Sequence, residues 1–205
     1  MRMSGFARRE QLVAVGRKTF ASKGFDGTSV EEIASQAKIS KPVIYEHFGG
    51  KEGLYAVIVD REVHALMSAL ETALDSSKRP RIILEDSALA LLTYIESNSD
   101  GFRILVRDAP QNSTSGSFSS LMGDIAIKVE HLLANQFSQA NMNPKWAPLY
   151  AQMLVGLIAQ VGQWWLDERR MSKEDVASHV VNLVWNGMRN LRPSPVLLTS
   201  VDEAK

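Results

Sequence analysis

The segment Thr28–Lys51 (TSVEEIASQAKISKPVIYEHFGGK) constrains the fold more than any other part of the sequence. Thr28 or Ser29 can cap a first short helix, because Glu31 or Glu32 follows at the spacing of a capping box. The apolar residues of this helix share one face, as an amphipathic helix requires: Ile33, Ala34 and Ala37. We therefore predict a short helix that packs one side against a core.

A second short helix follows a tight turn at Lys38-Ile39, with Ser40 as its predicted N-cap. Pro42 is tolerated in the first turn, because N–H groups there have no partner within the helix. Ile44 and Phe48 are four residues apart and are predicted to point inward. The segment thus predicts two helices joined by a turn, with one side of the second helix facing solvent.

The outward side of the second helix has the chemistry of a nucleic-acid contact surface. It carries a cation, a phenol, an imidazole and two small apolar groups: Lys41, Tyr45, His47, Pro42 and Val43. Phosphate oxygens accept from ammonium, phenol and backbone N–H donors, whereas base edges and thymine methyls contact short side chains. Lys51 begins the next helix, so its ammonium and the helix N-terminus form a second predicted phosphate site.

From this chemistry we predict roles in binding double-stranded DNA for individual residues. The predicted phosphate contacts are Thr28, Tyr45, His47 and Lys51, the predicted base contacts are Lys41, Pro42 and Val43, and Ser29 and Ser40 complete the predicted DNA-binding set.

The same residues resemble the DNA-binding region of TetR-family repressors. The matching parts are a Thr-rich helix start, an Ile-Ala pair, a Ser-Lys-Pro start of the second helix, a Tyr-x-His-Phe run and a Lys-x-x-Leu start of the next helix: Thr28–Val30, Ile33-Ala34, Ser40–Tyr45, His47-Phe48 and Lys51–Leu54. The match spans roughly residues 8–60. Lys38 departs from the family, which usually has Gly there. It either accepts a less favourable backbone angle or forces a slightly different turn.

The resemblance implies an all-α fold of about nine helices, and the sequence shows no strand-like alternation. We expect a three-helix helix-turn-helix DNA-binding domain over residues 1–50, a helical effector-binding and dimerisation domain over residues 51–192, and a loose tail over residues 193–205.

Charge and composition agree with a regulator that binds DNA at one end. The chain of 205 residues has a formal net charge of zero. Residues 1–51 hold nine Lys or Arg against five Asp or Glu, a net of +4, and the remainder is therefore at −4. There is no cysteine, and the N-terminal residues lack the apolar core of a secretory signal, so we expect a cytoplasmic protein.

Trp146–Leu166 contains 21 residues without a charge, which is long enough to span a membrane. Pro148 and the amides of Gln152, Gln160 and Gln163 argue against that interpretation. We predict instead that this helix and the last one form a homodimer interface. Two recognition helices about 34 Å apart would then fit a partly palindromic operator.

The resemblance also implies a small-molecule site in the body, for which the apolar candidates are Phe102, Leu105, Leu121, Met122, Ile125, Trp164 and Trp165. Such a lining favours a lipid-like or aromatic effector, although each residue is about as well explained as plain core. The segments SKPVIYEHF and FRILVRDAPQNSTSG are similar to actinobacterial regulators of fatty-acid synthesis that sense acyl-CoA. Arg103 and Arg107 either meet an anionic ligand or, the favoured alternative, pair with Asp100 or Asp108.

We therefore expect a homodimeric repressor that a hydrophobic small molecule releases from its operator, with no catalytic residue, metal or cofactor. Single histidines without Cys or Glu partners do not predict a metal site. The first alternative is a small helical enzyme or carrier acting on a lipid-like ligand, although no nucleophile–base cluster is evident. The second is a membrane-associated helical protein that uses Trp146–Leu166.

Overall fold

The computed structural model describes residues 3–75, 77–107 and 118–197. Within these ranges the chain is all-α and contains no strand, which confirms the predicted fold class. The nine α-helices found there are α1 (Gly5–Lys23), α2 (Val30–Ala37), α3 (Lys41–Phe48), α4 (Lys51–Glu71), α5 (Pro80–Ser97), α6 (Ser99–Val106), α7 (Phe118–Gln139), α8 (Ala147–Glu168) and α9 (Lys173–Arg189). A short 3-10 turn, Pro144–Trp146, precedes α8.

The helix ends follow local capping chemistry. Helix α1 begins at Gly5, earlier than the Arg8 start that the sequence pattern suggests, because Ser4 is extended and its hydroxyl accepts from Ala7 N at 3.2 Å. Ser172 caps α9 in the same way, accepting from Asp175 N at 3.0 Å. Side-chain caps of this kind satisfy first-turn N–H groups that no helical carbonyl can reach.

The chain packs as two compact units. The first consists of Met1–Thr72 and Ala90–Gly123, so it combines α1 to α4 with the end of α5, all of α6 and the start of α7. The side chains at its centre are almost completely buried: Leu12, Phe20, Ile33, Ile44, Leu54 and Ile58. Because these residues come from α1, α2, α3 and α4, one apolar core holds the two short helices in place.

The second unit consists of Ala73–Leu89 and Asp124–Lys205. Its longest apolar helix, α8, buries one face and exposes another. The buried face is made largely of small residues and ends at a tryptophan: Ala147, Ala151, Val155, Ala159, Gly162 and Trp165. Trp165 is fixed there, since its Nε1 donates to the Met171 carbonyl at 2.9 Å.

No helix in the described ranges combines the length and the apolar character needed to cross a membrane. The predicted domain boundary after residue 50 and the predicted loose tail stay predictions, and residues 198–205 of that tail lie outside the described ranges.

Candidate nucleic-acid interface

The turn between α2 and α3 is built by backbone geometry that the sequence only partly reveals. Ser29, not Thr28, caps α2, because its hydroxyl accepts from Glu32 N at 3.1 Å. Lys38 ends α2 in the left-handed region, with φ 55° and ψ 49°. Lysine therefore takes the less favourable backbone angle that glycine usually adopts, and the tight turn is kept. Ile39 N then donates to the Ala34 carbonyl at 3.0 Å and closes the turn.

Helix α3 presents most of its predicted DNA contacts to solvent. Ile44 is fully buried, while Tyr45 next to it is 55% exposed. Ser40, Lys41 and Pro42 are exposed, whereas Val43 and His47 are half-buried: the full set is Ser40, Lys41, Pro42, Val43, Tyr45 and His47. Ser40 occupies the N-cap position but makes no capping hydrogen bond with its side chain. We call these six residues the recognition face. It offers hydroxyl, ammonium, phenol and imidazole groups on the part of α3 that lies outside the core.

The structure corrects the role of Thr28. Its side chain is only 3% exposed, and its hydroxyl donates to the Gly24 carbonyl at 2.7 Å. The hydroxyl therefore ties the end of α1 to the start of α2 and is not exposed for the predicted phosphate contact. Ser29, one residue later, is exposed. Both residues fit a cap in the sequence, and the path of the chain after Gly24 decides which one is buried.

Lys51 has a partner within the chain that the sequence did not indicate. Its Nζ donates to the Phe25 carbonyl at 3.1 Å and lies 4.1 Å from the centre of the Phe25 ring. The Phe25 ring in turn packs edge-on against Tyr55, with ring centres 4.9 Å apart. Lys51 thus holds the turn after α1 against the start of α4, and phosphate binding by the same ammonium stays a prediction.

Lys41 is paired with Glu31. The two side chains form a short exposed ion pair between the first turn of α3 and the first turn of α2. The hydrogen bond from Lys41 is the main reason that the pKa of Glu31 is lowered from its ordinary value of 4.5. Glu31 therefore remains an anion beside the recognition face, and it competes with DNA for the Lys41 ammonium.

The predicted effector-binding residues divide between the two units. Four candidates lie in the first unit, where three are buried and Met122 is half-buried: Phe102, Leu105, Leu121 and Met122. The other three lie in the second unit, where Ile125 and Trp165 are buried. The structure corrects the placement of Trp164, which is 47% exposed. Neighbouring residues of a helix point about 100° apart, so the burial of Trp165 turns Trp164 outward. A small-molecule site stays a prediction.

The arginines that follow Phe102 differ in their surroundings. Arg107 Nη1 donates to the Phe20 carbonyl at 3.4 Å, so it reaches the last turn of α1 instead of Asp100. A cation near the C-terminus of a helix is electrostatically favourable. Asp108, its other predicted partner, lies outside the described residues. Arg103 is half-buried.

Acidic and histidine side chains form no metal-binding group of three or more in the part of the chain that the structure describes. Four residues of the first unit have structural contacts that were not predicted from the sequence: Phe25, Glu31, Arg17 and Glu62. The burial of Glu62 could have been suspected from the sequence, because it interrupts an apolar stripe of α4 that is otherwise Leu54, Ile58, Leu66 and Leu70.

Two family models match nearly the whole length of the chain. Residues 12–58 match the bacterial regulatory proteins of the tetR family, and residues 69–193 match a tetracycline repressor-like C-terminal domain. A curated relative, the HTH-type transcriptional activator FasR of Mycolicibacterium smegmatis, is 25% identical over 199 residues, covering 90% of this chain and 84% of its own.

Solved structures agree with the family models. The chain superposes on a TetR-like transcriptional regulator from Rhodococcus sp. RHA1 with a TM-score of 0.78 and 27% identity, covering 93% of this chain and all of that one. It also matches AibR, solved in complex with isovaleryl coenzyme A and operator DNA, with a TM-score of 0.69 and 17% identity over 86% of this chain and 97% of that one. The protein is therefore a member of the TetR family of DNA-binding transcriptional regulators, and not an enzyme.

Proposed function

We propose that this regulator is a cytoplasmic homodimeric repressor that acyl-CoA releases from a palindromic operator. The observation that carries the proposal is the recognition face, which places Lys41 and Tyr45 on the exposed side of a helix whose other side is buried at Ile44. A helix of this kind fits the major groove, and a two-fold dimer presents two copies to successive turns of the duplex.

An exposed stripe on α8 supports the dimer. Its residues recur at helical spacing and carry no charge: Leu149, Met153, Gly156, Gln160 and Trp164. Leu183 on α9 is also exposed. Isologous interfaces between helices are built from such apolar faces, and a glycine within one allows two helices to approach closely. We propose that α8 and α9 pair with the same helices of a partner subunit.

The effector class is supported by the names of similar proteins. The solved AibR complex contains isovaleryl coenzyme A, and another structure of this fold is a fatty acid degradation regulator, FadR from Bacillus halodurans. FasR is named an activator. Release from DNA by a ligand can regulate an activator as well as a repressor. In either case, the acyl-CoA must bind better to the state of the dimer that does not fit the operator. We propose that it shifts α4 and so changes the distance between the two recognition helices.

The proposed function is tested with purified dimer and labelled duplexes from upstream of its own gene. We expect nanomolar binding in fluorescence anisotropy, weakened at least about tenfold by saturating palmitoyl-CoA or isovaleryl-CoA, a coupling of about 1.4 kcal/mol. Free coenzyme A is the control for binding through the nucleotide alone. If no duplex is bound specifically, the proposal that the protein is a repressor is wrong. If binding does not change with either thioester, the proposed effector class is wrong. A promoter–reporter fusion gives the sign of regulation.

Substitutions in the recognition face separate phosphate contacts from base contacts. Tyr45→Phe removes one hydroxyl donor and is expected to weaken binding to all duplexes about fivefold, the value of one net hydrogen bond. Val43→Ala is expected to change the preferred sequence instead. Both are measured by anisotropy against operator variants at two salt concentrations, with Tyr150→Phe on α8 as the control. Equal loss on every duplex for Val43→Ala would show that Val43 does not contact bases.

A further inference from the structure

A charged cluster is buried where four helices of the first unit meet. Glu62 on α4 is only 7% exposed and is the one acidic or basic residue among the buried side chains of the described ranges. Its carboxylate faces Arg17 of α1, with Nε 2.9 Å from Oε1 and Nη2 donating to Oε2 at 3.2 Å. Tyr94 of α5 donates its hydroxyl to Oε2 at 2.7 Å. One carboxylate therefore connects α1, α4 and α5.

The corner between α5 and α6 packs against the same ion pair. Asn98 is the N-cap residue of α6, and its Oδ1 accepts from Arg17 Nη2 at 3.3 Å. Gly101, in the first turn of α6, packs so closely that a Cβ there would lie 1.9 Å from Glu62 Oε2 and 2.7 Å from Arg17 Nη2. Only glycine allows this approach. We call Arg17, Glu62, Tyr94, Asn98 and Gly101 the Glu62 cluster.

The cluster is better explained as a device that fixes the relative position of its helices than as a source of folding stability. A buried ion pair contributes little net stability, since desolvation of the two charges offsets their attraction. A buried network of polar groups nevertheless favours one arrangement of its members over others. The preceding residue of α4 adds a second contact to α1, because Arg61 donates to both carboxylate oxygens of Glu10 at 2.7 Å. Helix α4 thus holds α1 at two points separated by two helical turns.

Helix α1 passes this constraint to the recognition face. It packs directly against α2, and the hydroxyl of Thr19 on α1 lies 3.1 Å from Gln36 Oε1 on α2. Gln11 Nε2 of α1 also donates to the Ala37 carbonyl at the end of α2 at 3.2 Å. A rotation of α1 therefore carries α2 and the turn before α3 with it, because packed interiors shift as units.

We propose that the Glu62 cluster is the joint through which the corner of α5 and α6 sets the orientation of α1 and hence of the recognition face. Glu62 is the positioning residue of this joint, and Gly101 is the residue of α6 that packs against Glu62. The inference rests on the proposed function, because it assumes that the position of the recognition face decides operator binding. It adds which residues connect the corner of α5 and α6 to that face.

The test compares Tyr94→Phe, which removes one donor and adds no atom, with Gly101→Ala, which forces α6 off the ion pair. Tyr55→Phe and Gly123→Ala are matched controls, because Tyr55 is also buried in the first unit and a Cβ at Gly123 would meet nothing within 4 Å. The natural chain has no cysteine, so Ser35→Cys, at an exposed position of α2, carries one spin label per protomer. Pulsed electron resonance then measures the distance between the two heads of the dimer without DNA or effector.

We expect Tyr94→Phe and Gly101→Ala to shift or broaden the head-to-head distance by at least about 2 Å. Operator affinity without effector is expected to fall about threefold for Tyr94→Phe and tenfold or more for Gly101→Ala, the first figure being somewhat below one net hydrogen bond. Both controls should match the parent protein. If Gly101→Ala does not fold, Tyr94→Phe decides alone.

A lower melting temperature with an unchanged distance distribution would overturn the joint, because it would show a purely structural role. A changed distance in a protein that binds no operator would support the joint and contradict the proposed function. If the parent protein is a monomer, the proposed dimer fails. The label pair Ser35→Cys and Asn182→Cys then applies the same test within one chain.

Discussion

Gly156→Arg is expected to convert the regulator from a dimer into a monomer and to weaken operator binding about 100-fold or more. The second recognition helix of a bound dimer engages DNA intramolecularly, so a monomer loses far more than half of the contacts. Sedimentation velocity measures the oligomeric state, and anisotropy on the whole operator and on one half-site measures binding. On the half-site, the parent protein and the Gly156→Arg protein are expected to have similar affinities.

The substitution is informative because the single chain tolerates it. Gly156 lies in the exposed α8 stripe between Met153 and Gln160, and a Cβ built on it would meet nothing within 4 Å. Replacing an exposed glycine inside a helix removes an intrinsic penalty of about 1 kcal/mol, so the isolated helix becomes more stable. Only a partner seated on the stripe would clash with the arginine.

Gly123→Arg is the matched control. Gly123 is also a helical glycine with no atom within 4 Å of a built Cβ, but it belongs to α7 and not to the α8 stripe. It adds the same charge and the same bulk. A Gly156→Arg protein that remains dimeric, or a Gly123→Arg protein that dissociates equally, would remove α8 from the interface.

Local structure was predictable from the sequence, because its causes lie within a few residues. The two short helices and the inward position of Ile44 follow from capping and spacing. At Lys38 the sequence left two alternatives, and the structure shows the left-handed backbone angle. The exposure of Tyr45 follows from the same spacing, because its neighbour Ile44 is held in the core.

Contacts between distant segments were not predictable, because no pattern links their partners. Glu62 joins Arg17 across 45 residues and Tyr94 across 32 residues. Thr28 and Ser29 were equivalent as caps until the fold buried one of them. Trp164 and Trp165 were equally apolar, and only the orientation of α8 separates an exposed ring from a buried one. In each case tertiary packing distinguishes residues that are equivalent in their local sequence.

Arg17→Met is expected to lower the free energy of unfolding by about 2 kcal/mol, because it leaves the Glu62 carboxylate buried without a cation. The figure is below the usual range for a fully buried pair, since the Arg17 side chain keeps 29% of its exposure. Arg17→Met with Glu62→Gln should recover more than half of the loss, because the amide removes the charge and still accepts from Tyr94. Urea unfolding at one fixed protein concentration measures all three proteins, so that dimerisation contributes equally.

Arg61→Met is the control, because it breaks a second arginine–glutamate pair between the same two helices. The side chains of that pair, Arg61 and Glu10, are 41% and 39% exposed, so water can solvate the carboxylate that remains. Arg61→Met is therefore expected to change stability far less than Arg17→Met. Equal losses for the two single variants would show that burial does not set the strength of the Arg17–Glu62 contact. A double variant as unstable as Arg17→Met would show that the lost cation is not the cause. Arg17 would then act through the packing of its apolar stem between α1 and α4.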